Sequence, residues 1–359
     1  MKNISPLLLL SICVAFASCT HNYQLTVHFS NHDFDGKKAY LTNYDTGDTI
    51  GSATVLEKQL IIDGNVDTAY FARLLVEGNR LDFVVEEGDI EVEWGADLKI
   101  SGTPLNEKFN GIVKQLDKYE QQWQDIALAK QNNEITEDEA QRREDSRKSN
   151  LLNSLYNTYL ANKDNALGQW AFTQYVVEGD FSSSELDLIL NKVPKRYLNL
   201  KRVQNAVNNA SAREKTGEGK RFVDFSIKTP DGNTEKLSQF AADGINYTLV
   251  YFWASWCTSC QKEISSPLTY LYNEYNDNGL KFLGVAVWDD PAATQRSVKE
   301  HAIPWHVMVG DRKLTEPTDI YGISGIPYAI LISPDGTIVA RGMNGDALIE
   351  RVEAFLESN

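Results

Sequence analysis

Cysteine is scarce in this chain of 359 residues, with four in all: Cys13, Cys19, Cys257 and Cys260. Two of them lie in an N-terminal segment, which leaves a single pair for the folded body. A tetrahedral zinc site would want two further thiol or imidazole ligands, and there is no second Cys-x-x-Cys; His301 and His306 stand in no ligand pattern. Haem attachment would want histidine directly after the second cysteine, where Gln261 stands. No metal and no cofactor is therefore expected. Apolar runs long enough to span a bilayer, about 20 residues, are absent as well. The formal net charge is -15 and no basic stripe with interleaved aromatics occurs, which excludes nucleic acid as a partner.

The chain opens with Met1-Lys2-Asn3, runs apolar through Leu7 to Leu10 and Ile12 to Phe16, and reaches small residues, Ala17-Ser18, just before Cys19. A positive start, a short apolar stretch and small residues at the end are the parts of a secretory signal. Small residues directly before a cysteine resemble the lipobox of bacterial lipoproteins, although Phe16 stands where that motif usually has leucine. The resemblance implies cleavage before Cys19, lipidation of Cys19, and residence on the periplasmic side of the cell envelope, anchored to the inner or outer membrane. An ordinary cleaved signal implies export without the anchor.

A chain this long is expected to hold two or three structural units. We expect a signal peptide over 1–19, a β-rich domain over 20–104, a helical region over 105–212, a linker over 213–221 and an α/β domain over 222–359. Alternating apolar residues at Tyr23, Leu25, Val27 and Phe29, with turn signals such as Asp63-Gly64-Asn65 and Glu87-Gly88-Asp89, predict a small antiparallel β sandwich or barrel. The period then becomes helical at Phe109, Ile112, Val113, Leu116 and Tyr119. The polar run SAREKTGEGK, residues 211–220, has the composition of a linker. Beyond it, buried-type strands at 247–253, 282–288 and 305–309 alternate with helices, and a hairpin turns at Pro334-Asp335-Gly336, which predicts a mixed α/β sheet.

Chemistry concentrates at Trp256-Cys257-Thr258-Ser259-Cys260, directly after the first of those strands and directly before a predicted helix over 261–275. A cysteine at a helix N-terminus faces unpaired N–H groups and the positive end of the helix dipole, both of which favour thiolate. Cys257 is thus placed to be a nucleophile. Cys260, three residues on, is placed to attack a mixed disulfide formed by Cys257. A purely structural bridge over so short a loop would constrain little unfolded-state entropy.

The stretch FWASWCTSC makes residues from about 220 to 359 resemble the thioredoxin superfamily, and within it the membrane-tethered TlpA/ResA-like branch. The resemblance covers about two-fifths of the chain and implies a thioredoxin-like fold and thiol-disulfide oxidoreductase activity on exported protein thiols and disulfides. It implies reduction as the direction, with a membrane-associated electron donor. By the same resemblance, Trp256 packs beside the active site and Gly325-Ile326-Pro327 supplies the cis-proline loop opposite the cysteines. Glu263 matches a glutamate that relays protons near Cys260. Two departures stand out. Tyr251 replaces the buried aspartate that thioredoxin places six residues before the first cysteine. Ser265, with Pro267 nearby, replaces the usual kink proline. The β-rich domain resembles, in arrangement, N-terminal domains of unknown function in Bacteroidetes lipoproteins of this kind.

Two other functions compete. A thiol peroxidase of the alkyl-hydroperoxide-reductase type would want proline seven residues and threonine three residues before its reactive cysteine, where Val250 and Ala254 stand. A binding protein would use the thioredoxin fold as a scaffold, and the retained pair of cysteines argues against that.

Overall fold

The computed structural model describes residues 21–132, 134–229, 231–276, 278–310 and 316–357. Cys19 and the rest of the expected signal lie outside the described residues. The chain divides into two compact units, Met1–Glu178 and Gly179–Asn359.

The first unit begins with eight strands, β1 (Asn22–Phe29), β2 (Lys38–Asn43), β3 (Thr49–Thr54), β4 (Gln59–Asn65), β5 (Tyr70–Val76), β6 (Asn79–Val85), β7 (Gly88–Trp94) and β8 (Lys99–Ser101). They form two four-stranded sheets, ordered β4-β1-β7-β8 and β3-β2-β5-β6. The pairing is antiparallel except between β1 and β7, which run parallel with Val27 opposite Val92. The predicted alternation in β1 holds, for Tyr23, Leu25, Val27 and Phe29 are all buried.

Three helices follow in this unit, α1 (Pro104–Gln131), α2 (Glu137–Ala161) and α3 (Ala166–Glu178). Asn106, fully buried in the first turn of α1, accepts from the Val84 N–H at 2.9 Å and donates to the Val84 carbonyl at 2.7 Å. It thereby satisfies both backbone groups of a residue on the edge strand β6, which would otherwise be left unpaired. Phe109 of α1 and Trp170 of α3 pack on Phe71 of β5 with ring centroids 4.9 and 5.3 Å away.

The second unit starts with α4 (Ser183–Leu190), α5 (Lys195–Leu198) and α6 (Lys201–Lys215). Residues 211–215 of the polar run are therefore helical, and these three helices group with the C-terminal unit. Arg341 explains the docking of α6: its guanidinium donates to the Thr216 carbonyl at 2.6 Å, the Thr216 hydroxyl at 2.9 Å and the Tyr321 carbonyl at 2.6 Å. A cation at the carbonyl end of a helix also suits the helix dipole. Gly322 lets the two surfaces approach; at its φ of +62° a Cβ would stand 2.3 Å from the Asn209 carbonyl oxygen.

The remainder comprises β9 (Ser226–Lys228), β10 (Thr234–Lys236), β11 (Tyr247–Trp253), α7 (Thr258–Glu263), a π-helical stretch (Ile264–Leu268), α8 (Thr269–Tyr275), β12 (Leu280–Ala286), α9 (Pro291–Glu300), β13 (His306–Val309), α10 (Glu316–Tyr321), β14 (Tyr328–Ile332), β15 (Ile338–Met343) and α11 (Gly345–Glu357). The five-stranded sheet has the order β13-β12-β11-β14-β15, with β11, β12 and β13 parallel, β14 antiparallel to β11, and β15 antiparallel to β14. Its central strand β11 is buried at every position, as a strand covered on both faces must be. Leu249, Tyr251 and Trp253 pack with α7, α8 and α11 on one face, while Val250 and Phe252 pack with Phe225, Tyr321 and Ile323 on the other. The displaced proline gives a definite local structure. Pro267 lies inside the π-helical turn, and the Thr269 hydroxyl donates to the Ile264 carbonyl at 2.6 Å, pairing a carbonyl within the irregular turn.

Candidate redox site

Strand β11 ends at Trp253, and the short loop Ala254–Trp256 turns the chain into α7 with Cys257 as its N-cap. Cys257 and Cys260 are joined as a disulfide with Cα atoms 5.2 Å apart. The Cys260 N–H points at the Cys257 sulfur at 3.1 Å. The Ser259 hydroxyl lies 3.4 Å from the same sulfur, and since that sulfur carries no hydrogen here, the hydroxyl is the donor. Two donors at the start of a helix are the environment that stabilises a thiolate once the bond opens. Cys257 keeps 5% of its surface exposed and Cys260 none, so only the first sulfur presents itself to a partner.

Trp256, the residue before Cys257, is 60% exposed, with its indole N–H bound to the Trp288 carbonyl at 3.1 Å. The proline loop enters from β14. The Ile326-Pro327 bond is cis, and Tyr328 pairs with Phe252, so Pro327 stands at the same end of the sheet as the loop carrying Cys257. Ile326 packs against the cluster that contains both cysteines.

Glu263 is the last residue of α7, half-buried, and one of its carboxylate oxygens accepts from the Gly345 N–H at 3.1 Å. Its other oxygen is buried with no hydrogen-bond partner among the described residues. Burial pushes the Glu263 carboxyl above the ordinary glutamate value, and the Gly345 N–H bond, with the nearby Tyr251 phenol, pulls it part of the way back. Tyr251, the replacement for the buried aspartate, donates to the Cys260 carbonyl at 3.3 Å. Burial first, and then the Glu263 charge, raise its phenol far above the usual range. Cys257, Cys260, Trp256, Glu263, Ile326 and Pro327 are thus gathered at one end of the sheet, while Cys19 is outside the described residues.

Residues beyond the motif hold this loop. Asp289, between β12 and α9, is 6% exposed; its carboxylate accepts from Ser255 N at 2.6 Å, the Ser255 hydroxyl at 2.8 Å, the Thr294 hydroxyl at 2.8 Å and Asp290 N at 2.8 Å. Gln261 donates to the Ser255 carbonyl at 2.6 Å. Asp289 escaped the sequence reading because Asp289-Asp290-Pro291 looks like a plain helix start, a role that Asp290 in fact fills by accepting from Ala292 N and Ala293 N.

Residues 219–341 match the AhpC/TSA family. That stretch has the thioredoxin-like fold described above. Residues 23–109 match a domain of unknown function, DUF4369. The AhpC/TSA region is 27% identical over 139 residues to the thiol-disulfide oxidoreductase ResA of Halalkalibacterium halodurans, a match covering 39% of this chain and 75% of that protein. It is 26% identical over 138 residues to ResA of Bacillus subtilis, covering 38% of this chain and 72% of that protein. Among solved structures, the thioredoxin domain of a thiol-disulfide oxidoreductase from Bacteroides vulgatus aligns at 29% identity with a TM-score of 0.35, covering 39% of this chain and 98% of that one. Within the AhpC/TSA domain, Val250 and Ala254 fill the positions where the peroxidase pattern has proline and threonine.

Proposed function

We propose that this chain is a thiol-disulfide oxidoreductase acting on protein substrates through Cys257 and Cys260. The observation that carries the reading is the bonded pair at the N-cap of α7, with the outer sulfur facing two hydrogen-bond donors and the inner one fully buried. In the reducing direction the Cys257 thiolate attacks a substrate disulfide. A Cys257–substrate bond forms, the substrate S–S bond breaks and one substrate thiolate leaves. Cys260, one turn on, then attacks Cys257; the intramolecular disulfide forms and the second substrate thiolate departs. Two electrons pass to the substrate, and a dithiol donor must return two electrons to the pair for the next cycle.

Each nearby group has a task in this scheme. Trp256 walls the approach to Cys257, and Ile326-Pro327 presents backbone to an extended substrate segment. Glu263, raised by burial, takes and returns the proton of Cys260. Reduction is the proposed direction, with a membrane-associated donor. The N-terminal segment supports export and lipidation at Cys19, which would hold the chain on the periplasmic side of the envelope. Cys19→Ser should abolish incorporation of labelled fatty acid in growing cells; unchanged incorporation would remove the anchor from the scheme. The peroxidase alternative has no support at Val250 and Ala254. For the activity itself, the reduced chain should convert an insulin-like polypeptide disulfide to thiols stoichiometrically, and a Cys257→Ser chain that did so equally well would refute the assignment.

A further inference from the structure

Most of the groups that hold the active-site loop come from a segment 28 residues or more beyond the second cysteine. We propose that Asp289 is the positioning residue of this redox site, acting through Ser255 and Trp256 to keep the exposed indole in place as a wall for polypeptide substrates. The inference rests on the oxidoreductase reading above.

Four donors converge on the buried carboxylate of Asp289, two from Ser255 alone. Hydrogen bonds to an ionised acceptor are about twice as strong as neutral ones, and leaving such a buried group unpaired is costly. Ser255 is the residue before Trp256 and two before Cys257, so fixing its N–H and hydroxyl fixes the path of the chain into the nucleophile. The neighbouring residue completes the hold. Trp288 adopts a φ of +55°, a conformation a bulky side chain rarely takes, and its carbonyl accepts the Trp256 indole N–H at 3.1 Å. The Asp289 bond to the Thr294 hydroxyl ties the arrangement to α9.

The consequence falls on large substrates. Cys257 exposes only 5% of its surface while Trp256 exposes 60%, so a polypeptide reaching the sulfur must lie along the indole. A rigid aromatic wall with an anchored N–H offers contact area at small entropic cost. A small disulfide needs the sulfur alone. Misplacing reacting groups by about 1 Å costs on the order of a hundredfold in rate, so loosening the wall should be felt where the wall is used.

The test uses the full chain solubilised in detergent, reduced, freed of reductant, and followed in single turnover by loss of free Cys257 and Cys260 thiols. One oxidant is a peptide bearing a disulfide and the other is dithiodipyridine. Asp289→Asn should slow the peptide reaction at least tenfold and leave the dithiodipyridine reaction within twofold. Trp256→Ala should slow the peptide reaction to a similar extent, and with the peptide the double variant should lose little more than either single one, because both act through one wall. Ser255→Ala, which removes only the hydroxyl, should give a smaller loss of the same kind and decides the matter if Asp289→Asn does not fold. Parallel loss with both oxidants, or losses that multiply in the double variant, would overturn the inference and leave the oxidoreductase reading intact. A wild-type chain inert toward both oxidants would overturn both.

Discussion

The hydroxyl of Tyr251 in the central strand donates to the carbonyl oxygen of Cys260 at 3.3 Å. The strand thus holds the inner end of the redox motif from beneath, at the position where thioredoxins carry an aspartate. The same phenol lowers the Glu263 value that burial has raised. Tyr251→Phe should therefore cost about 1 kcal/mol of stability through the lost hydrogen bond. It should also move the limb of the pH–rate profile that belongs to Glu263 to higher pH. Urea unfolding and a rate profile with a peptide disulfide check the two arms, and a limb that moved down would contradict the assignment.

Glu263→Gln tests the buried carboxyl itself. A carboxyl whose folded value is raised stabilises the protein fully below its unfolded value, and that stability is lost as pH rises through the folded value. The ionised form is thus the burdened one at neutral pH. The glutamine variant should be more stable than the wild type at pH 7 and should converge with it below the ordinary glutamate range. Exchange activity should fall at neutral pH because the proton carrier is gone. Thermal melts across pH and single-turnover rates measure both, and a glutamine variant less stable than wild type at pH 7 would count against the burial argument.

Ser259→Ala addresses the dipeptide between the cysteines. The Ser259 hydroxyl, 3.4 Å from the Cys257 sulfur, favours the thiolate and hence the reduced pair. Its loss should lower the reduction potential by roughly 20 mV, the equivalent of one hydrogen bond of about 1 kcal/mol in a two-electron couple. A rise in potential would show that the hydroxyl serves the disulfide instead.

How far the sequence discloses the molecule depends on how local each feature is. Cys257, Cys260 and the helix they begin follow from adjacent residues, and the alternation of β1 follows from the pleat. The parallel pairing of β1 with β7 does not, since it joins segments 65 or more residues apart whose alternation reads the same in either direction. The absent kink proline was visible at Ser265, but its structural answer, a π-helical turn around Pro267, required the three-dimensional chain. The polar run 211–220 looks like a linker because the partner that makes Thr216 fully buried, Arg341, lies 125 residues away. Asp289 was hidden for the same reason: nothing near it in sequence distinguishes a loop anchor from a helix cap.

Arg341→Met retains the aliphatic stem and removes every bond to Thr216, Tyr321 and Tyr328. The loss should reach about 3 kcal/mol, the scale of a few hydrogen bonds from a charged donor. Amide exchange in α6 should accelerate well beyond that in β11, because α6 is what the guanidinium ties down. Uniform acceleration through the unit would mean that Arg341 supports the whole fold rather than this junction.

Reductase activity requires that Cys257 and Cys260 form a reversible two-electron couple at a low potential. Equilibrating the chain against graded ratios of reduced and oxidised dithiothreitol or glutathione, then trapping and counting free Cys257 and Cys260 thiols, tests it directly. One reversible two-electron transition should appear, with a potential near or below the roughly -270 mV of thioredoxin. A potential near the roughly -120 mV of DsbA, or no reversible transition at all, would contradict it.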